Sequence, residues 1–375
     1  MNKLFRLSWY RFAIPYYLNS FIVLIVQFII SFVLQLLFFF ASFLLVFTPR
    51  NYLLHSDSYI EESLPTEDGI SLYIERSQPM DSVFNTLTKK GVTIDPEIFN
   101  WARRLSGWRS VPRGHYLINN NGSLDQLLEK LGRGLQDPIT LTVLPGQNVQ
   151  SIVQQLEKQS IYQQDDFFEA LNDNNWLATV NSDTSRVIGQ LYPETYLVYW
   201  TDQPKKIIGR LIKENTKALS TLIEGEPFTS TRWEEVIIMA SIIEWEYKFE
   251  EEKKRIGGLY WNRLNSNMRL QADPTVNFAL GERRRLLYRD YSFEHPYNTY
   301  QINGLPPGPI TNPSYTSLEA AARPERHDYL YMVASPEGTH TFSTNYEDHQ
   351  KASKIWRDWI QEQYRIKRQR EQSTP

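Results

Sequence analysis

The stretch Trp233-Glu-Glu-Val-Ile-Ile-Met-Ala-Ser-Ile-Ile-Glu244-Trp-Glu246-Tyr, followed by a charged run and Tyr260-Trp-Asn-Arg263-Leu264, decides the reading of this chain. Most of it has helical spacing. Ile237, Ala240, Ser241, Glu244, Tyr247 and Lys248 recur at i, i+3, i+4, i+7, i+10 and i+11 and share one face. That places a carboxylate on a largely apolar stripe. Burying it is costly unless it is partnered or held neutral. A neutral Glu near pH 7 suits a general acid. The competing reading is an edge residue that reaches solvent or pairs with Lys248. Glu246 lies about 200° around the helix from Glu244, so the two do not form one carboxylate pair. The run Glu250 to Arg255 reads as a solvated face with pairs such as Glu250–Lys254 and carries no assigned function.

Outward from this stretch, 375 residues allow two folded domains plus extras. A formal net charge of −3 gives no bulk basic field, so nucleic acid is not an expected partner. The absence of cysteine excludes disulfides, thiolate nucleophiles and Cys-ligated metals. The six histidines are scattered, and none forms a His-Glu-x-x-His pair. There is no Walker loop, Gly-rich dinucleotide turn or Gly-x-Ser-x-Gly. No metal and no cofactor are expected. Aromatic content is 14%, which suits sugar stacking as well as core and interface packing.

Phe21 to Phe47 is an uncharged apolar run, long enough as a helix to span about 30 Å of hydrocarbon. A signal peptide would have a shorter apolar region, so a retained anchor is expected. Lys3, Arg6 and Arg11 precede it, while Asp57, Glu61 and Glu62 follow Arg50. Positive-inside then puts residues 1–20 in the cytoplasm and everything after residue 47 outside. Residues 48–68 read as a stalk. Outside the cytoplasm, ATP and nicotinamide are not at hand. Envelope polymers, lipids and proteins are the natural substrates.

Residues 69–138 read as a small module: a strand at Leu72–Ile74, helices Asp81–Lys90 and Pro96–Leu105, and a turn at Gly114 leading to a strand ending at Ile118. Ser123 caps a helix through Leu131. This strand–helix–helix–strand order resembles LysM modules, which bind N-acetylglucosamine-containing glycans. Residues 139–350 follow as a mixed α+β domain. It has a strand at Ile139–Val143, helices near Val149–Gln159, Asp165–Leu171 and Ile207–Leu222, and late strands at Tyr329–Val333 and Thr339–Phe342. Glu194, beside Pro193, is either a turn-capping acid or a second site carboxylate. The Pro- and Gly-rich segment Asn303–Pro313 reads as a stiff loop shaping a cleft. Residues 351–375 read as a helix ending in a basic run, Arg365 to Arg370.

Six segments occur in order: Ala240-Ser-Ile-Ile-Glu244-x-Glu246, Asn262-Arg-Leu264, Leu270-Gln-x-Asp-Pro-Thr275, Tyr297-Asn-Thr-Tyr300, Gly304-Leu-Pro-Pro-Gly-Pro-Ile310 and His340-x-Phe342-Ser343. Together they resemble the motifs of the YceG-like endolytic murein transglycosylases, the MltG family, from about Leu72 to His349. The anchor and LysM-like module match that layout. Trp245 and Tyr247 stand where the family often has Lys and Thr, and Ala272 where it often has Ser.

The resemblance implies an α+β fold and a cell-membrane lytic transglycosylase. Such an enzyme cleaves the β-1,4 bond between N-acetylmuramic acid and N-acetylglucosamine in nascent peptidoglycan glycan strands. It leaves 1,6-anhydromuramoyl ends. Glu244 falls on the family's catalytic Glu. Glu194, Asn262, Arg263, Gln271, Asp273, Tyr297 and Asn298 are candidates for substrate contacts or structural hydrogen bonds. Expected partners are glycan strands, the cell membrane, penicillin-binding proteins and the elongation machinery. A catalytically silent glycan-binding scaffold is the alternative. A lyase acting on a cytoplasmic chorismate-derived metabolite fits poorly with an outward topology.

Overall fold

The computed structural model describes residues 22–44, 69–119, 123–222, 230–247 and 249–373. The chain forms two compact units, the first ending at Asp137 and the second beginning at Pro138. The first contains α1 (Ile22–Leu44), a 23-residue helix of mean hydropathy 2.7 that is long and apolar enough to cross a membrane. The expected ends of this span (Phe21 and residues 45–47), its charged flanks and the stalk lie outside the described residues.

The rest of the first unit alternates short elements: β1 (Ile70–Ile74), β2 (Gln78–Pro79), α2 (Met80–Lys89), α3 (Pro96–Ser106), β3 (Ser110–Val111), β4 (Gly114–Ile118) and α4 (Leu124–Arg133). β1 pairs antiparallel with β4, Leu72 opposite Tyr116, and β2 pairs with β3. Local chemistry fixes the boundaries. Asp95 accepts the N–H groups of Glu97 and Ile98 at 2.8 and 3.1 Å, with Pro96 at the first helical position of α3. Gly107, at φ 77°, ends that helix in the left-handed region. Ser123 and Gln126 form a reciprocal capping box on α4. The apolar faces of the helices then meet on β1 and β4, with Leu72, Ile74, Phe99, Tyr116, Leu124 and Leu128 buried. Phe84 stacks on Phe99 at 4.1 Å.

The second unit opens with β5 (Ile139–Thr142), α5 (Val149–Lys158), α6 (Gln164–Asn172), α7 (Asn174–Thr179), α8 (Val187–Gln190), β6 (Thr195–Val198) and α9 (Pro204–Leu222). β5 pairs antiparallel with β6, a strand with no expectation in the sequence. The central elements follow: α10 (Ser230–Glu246), a 3-10 turn at Glu250–Glu252, α11 (Lys253–Asn265), α12 (Asp273–Leu280) and α13 (Tyr315–Ala322). The hairpin β7 (Tyr331–Ala334) and β8 (His340–Ser343) and the long α14 (Tyr346–Ser373) complete it.

α10 is the axis of this unit. The expected one-sided stripe is wrong for it. Val236 through Glu244 are buried without a gap, because α8, α11, α12 and α13 all pack around it. A helix apolar all round is a core helix. Close approach is secured by small residues. A Cβ on Gly257 of α11 would come within 2.6 Å of the Ala320 carbonyl oxygen of α13. The Pro- and Gly-rich loop is tied to the same axis, since the Ser241 hydroxyl accepts the Ile310 N–H at 3.0 Å.

The capping and packing of the first unit have separable effects. Ser123→Ala should lower unfolding free energy by about 1 kcal/mol, and Leu128→Ala by about 2–5 kcal/mol. Urea unfolding of the full chain in detergent checks both, and equal losses would contradict this account.

Candidate active site

Near its C-terminus α10 carries Glu244, which is 6% exposed. Its Oε2 accepts the Ser314 N–H at 2.9 Å, the Ser314 hydroxyl at 2.6 Å and the Ser317 hydroxyl at 2.6 Å. The Lys253 ammonium stands 3.8 Å from the same oxygen. Ser314 is the N-cap of α13, so the carboxylate meets the positive end of that helix. Glu244 is therefore neither an edge residue nor enclosed by an apolar surface. It is a buried acid with a donor set. Lys248, the alternative partner, lies outside the described residues.

The expectation of a solvated face at Glu250–Arg255 is corrected. Lys253 is 1% exposed and Glu252 is 7% exposed. Lys253 donates to Ser314 Oγ at 3.0 Å and Thr316 Oγ1 at 2.7 Å, pairs with Glu250 at 2.9 Å, and lies 3.7 Å from the Tyr247 ring centroid. Glu252 accepts the His340 N–H at 2.7 Å and contacts its Nδ1 at 2.9 Å, joining the 3-10 turn to β8. Lys254 pairs with Glu319, not Glu250. The run breaks helical phase between α10 and α11, and this turns the adjacent Glu252 and Lys253 inward. Burial and the carboxylates of Glu244 and Glu250 push the Tyr247 hydroxyl up to about 12. Burial raises Glu250, but the Lys253 and Thr316 hydrogen bonds outweigh it and hold its carboxyl below the ordinary value.

The wall beside Glu244 comes from far away in sequence. A Cβ on Gly146 would lie 3.5 Å from Trp245 Nε1 and 3.8 Å from Glu244 Cγ, and the Trp245 indole donates to the Gly146 carbonyl at 2.9 Å. Asn312 accepts the Gln147 N–H at 2.8 Å and donates to the carbonyls of Leu144 and Leu191. The Pro-rich loop, the loop after β5 and α10 are thus one hydrogen-bonded frame. A groove of about 660 Å³ between the start of α10 and α11, lined by Arg232, Ile238, Trp261 and Leu305 among others, includes none of Glu244's partners.

Glu246 belongs to a second acidic cluster. It accepts the Tyr260 hydroxyl at 3.0 Å, and the Tyr300 hydroxyl donates to Asp273 at 2.7 Å. Burial first, then the charge of Asp273, pushes Glu246 up to about 7, against the opposing pull of Tyr260 and Arg263. Asp273 is an exposed residue, yet its carboxyl is hemmed in by tyrosines. Desolvation raises it despite the hydrogen bonds from Tyr300 and Tyr291.

The remaining sequence candidates divide. Asn262 donates to the carbonyls of His327 at 2.7 Å and Tyr329 at 3.1 Å. Arg263 donates to Leu330 and Leu270 carbonyls, both at 2.6 Å. Asn298 is fully buried, donates to the Phe293 carbonyl at 2.7 Å and accepts the Tyr300 N–H at 3.0 Å. These three bind protein backbone. Gln271 is exposed at φ 49°, and its N–H reaches the Thr299 carbonyl at 3.2 Å. Tyr297 packs on Phe278 with ring centroids 4.6 Å apart. Glu194 is exposed and accepts the next residue's N–H at 3.1 Å, as a turn-capping acid does. Sequence reasoning missed Lys253, Ser314 and Ser317. The signal for the serines was present: Pro313-Ser-x-x-Ser before Leu-Glu-Ala-Ala-Ala is a helix start.

Glu246 makes stability depend on pH. In the folded chain it binds its proton more tightly than the ordinary value of 4.5. Between pH 4.5 and about 7 the folded state therefore holds more protons than the unfolded state, and stability falls as pH rises. Glu246→Gln should flatten that fall and gain on the order of 2 kcal/mol at pH 8. Thermal melts across pH 4.5–8 read this out. A wild-type curve that rises through this window would contradict it.

Comparison with known proteins gives the family. The YceG-like family model matches residues 72–355. An endolytic murein transglycosylase of Bacillus subtilis (strain 168) is 28% identical over 300 residues, covering 76% of this chain and 83% of that protein. One of Streptococcus pneumoniae serotype 2 is 26% identical over 332 residues, and the match spans 79% of this chain but 60% of that longer relative. The crystal structure of a YceG-like protein from Listeria monocytogenes superposes with a TM-score of 0.52 at 29% identity, covering 76% of this chain and 99% of that one. The family model covers most of the chain, including α10 and the elements that hold Glu244, and the chain belongs to the YceG-like family.

Proposed function

We propose that this chain is a membrane-anchored endolytic lytic transglycosylase of peptidoglycan, with Glu244 as its catalytic acid and base. The observation that carries the reading is a buried carboxylate gripped by a helix N-cap, within the family-matched segment. The relatives named endolytic murein transglycosylases support the substrate class.

A retaining glycosidase needs two carboxylates about 5–5.5 Å apart. Glu246 faces a different cluster, and Glu250 is taken up by Lys253 and Thr316, so a one-carboxylate route fits. Glu244 gives its proton to the glycosidic oxygen as the bond from C1 of N-acetylmuramic acid breaks. The sugar's acetamido group stabilises the cationic centre. The C6 hydroxyl oxygen then bonds to C1, and its proton returns to Glu244. Water is not consumed, and the product carries a 1,6-anhydromuramoyl end. Trp245, fixed by its bond to Gly146, gives an aromatic wall beside the acid. Gln271, Asp273, Tyr297 and Glu194 are the substrate-contact candidates. Asn262, Arg263 and Asn298 serve by holding the loops that shape the cleft.

In this reading α1 anchors the chain with its N-terminus in the cytoplasm and the catalytic unit outside. The strand–helix–helix–strand unit acts as a LysM-like glycan module, and cleavage ends nascent strands beside penicillin-binding proteins of the elongation machinery.

Glu244→Gln, almost isosteric, should retain fold and glycan binding while lowering release of anhydro ends by at least about 10³-fold, the scale of general acid–base catalysis. Mass spectrometry of purified glycan strands after digestion measures this. Substantial anhydro product from the variant would overturn the assignment. Binding without anhydro ends from the wild type would support a silent scaffold.

A further inference from the structure

The serine and lysine contacts to Glu244 all converge on one of its two oxygens. Oε2 receives the Ser314 N–H, the Ser314 hydroxyl, the Ser317 hydroxyl and, at 3.8 Å, the Lys253 ammonium. None of these involves Oε1. We propose that Oε2 is the anchored oxygen and Oε1 the proton-carrying one, and that Lys253, balanced by Glu250, is a positioning residue that sets how readily Oε1 gives up its proton. This rests on the reading of Glu244 as the catalytic acid.

The charge arrangement carries the argument. A buried ammonium 3.8 Å from a carboxylate favours the ionised acid, which has no proton to give. Lys253, however, is closer to Glu250, at 2.9 Å, and shares its other donor positions with Ser314 and Thr316. Thr316 in turn donates to Glu250 at 2.8 Å. One cation matched by one anion leaves Glu244 as the third charge, so the cage is neutral when Glu244 is protonated. When Glu244 donates its proton, the new carboxylate charge appears on a group already pinned at Oε2 and facing an ammonium. The fixed donors stabilise it without reorganisation. The protonated acid keeps Oε2 as the acceptor of the serine hydrogen bonds, which leaves the proton on Oε1.

The groups facing Glu244 are few. Tyr247, just past the end of α10, hydrogen-bonds the side chains of Glu244 and Glu250, the 3-10 turn supplies Glu250, α11 supplies Lys253, and α13 supplies Ser314, Thr316 and Ser317. Gly146 and Trp245 close the side after β5. Glu246 and Asp273 turn to Tyr260 and Tyr300, and Glu234 and Glu235 at the start of α10 pair with Arg186 and Arg232. The Glu250 side chain is 55% exposed, so it can be changed without opening the core, whereas Lys253 is almost fully buried.

The test is the pH profile of kcat/KM for anhydro-end release from purified uncrosslinked glycan strands, using the full chain in detergent. Glu250→Gln leaves the Lys253 charge for Glu244 alone and should move the alkaline limb about one pH unit toward acid. Lys253→Met should move the limb the other way and lower the plateau. Lys253→Arg should restore the limb's position better than Met does. An alkaline limb that stays in place in Glu250→Gln overturns the proposal, whether or not Lys253→Met folds, as does a shift toward alkali. Glu244→Gln in the same assay separates the two readings. If it remains active, the assignment of Glu244 fails. If it is inactive and Glu250→Gln has an unmoved limb, only the role of Lys253 and Glu250 fails.

Discussion

A carboxylate buried on a core helix has to find its donors on another element, and this requirement organises the second unit. α10 is surrounded by other elements and brings Glu244 into an interior that would not tolerate a bare charge. The donors arrive about 70 residues later, at the N-cap of α13. For Ser314 and Ser317 to reach Oε2, α13 must lie close against α10 and α11. Gly257, Ala320 and Ala321 make that approach possible. Cutting off one partner of a buried charged set costs about 3–5 kcal/mol, comparable with a large share of a domain's stability. Packing of the helices and satisfaction of the acid are therefore one constraint.

The Pro-rich loop follows from the same constraint. It carries the chain from the Tyr297 region to the N-cap of α13, and its position fixes where Ser314 falls. Ser241 holds it through Ile310, while Thr311 and Asn312 hold it to the loop after β5. A segment rich in proline loses less entropy on ordering, so a few bonds are enough to fix it. The hydrogen bonds of Asn262 and Arg263 do the same for the segment that leads into β7. Polar residues that look like ligands in the sequence are here the joints of the scaffold.

Two carboxylates two residues apart meet opposite surroundings. Glu244 has hydroxyls, a helix N-terminus and an ammonium. Glu246 has a tyrosine hydroxyl and the charge of Asp273, and burial raises its proton affinity. The helical step of about 100° per residue separates them into different clusters on the same helix. The proposal of chemistry for Glu244 rather than Glu246 draws on this difference in environment.

Much of this protein was legible in its sequence. The length and apolarity of residues 22–44, the cap at Ser123, and the order of motifs from Ala240 to Ser343 are local properties, and local chemistry expresses them in place. What the sequence did not reveal is non-local. The pairing of β5 with β6, the burial of α10 on every side, the inward turn of Lys253 and Glu252, and the convergence of Ser314 and Ser317 on Glu244 all depend on elements distant along the chain. Periodicity cannot report a break in helical phase between α10 and α11, and that break sends Lys253 inward. The sequence by itself put Glu244 on a helix, in the first of the ordered motifs. Only the tertiary structure decided what holds it, because an acid's partners are set by which elements pack together, and packing is a property of the whole unit.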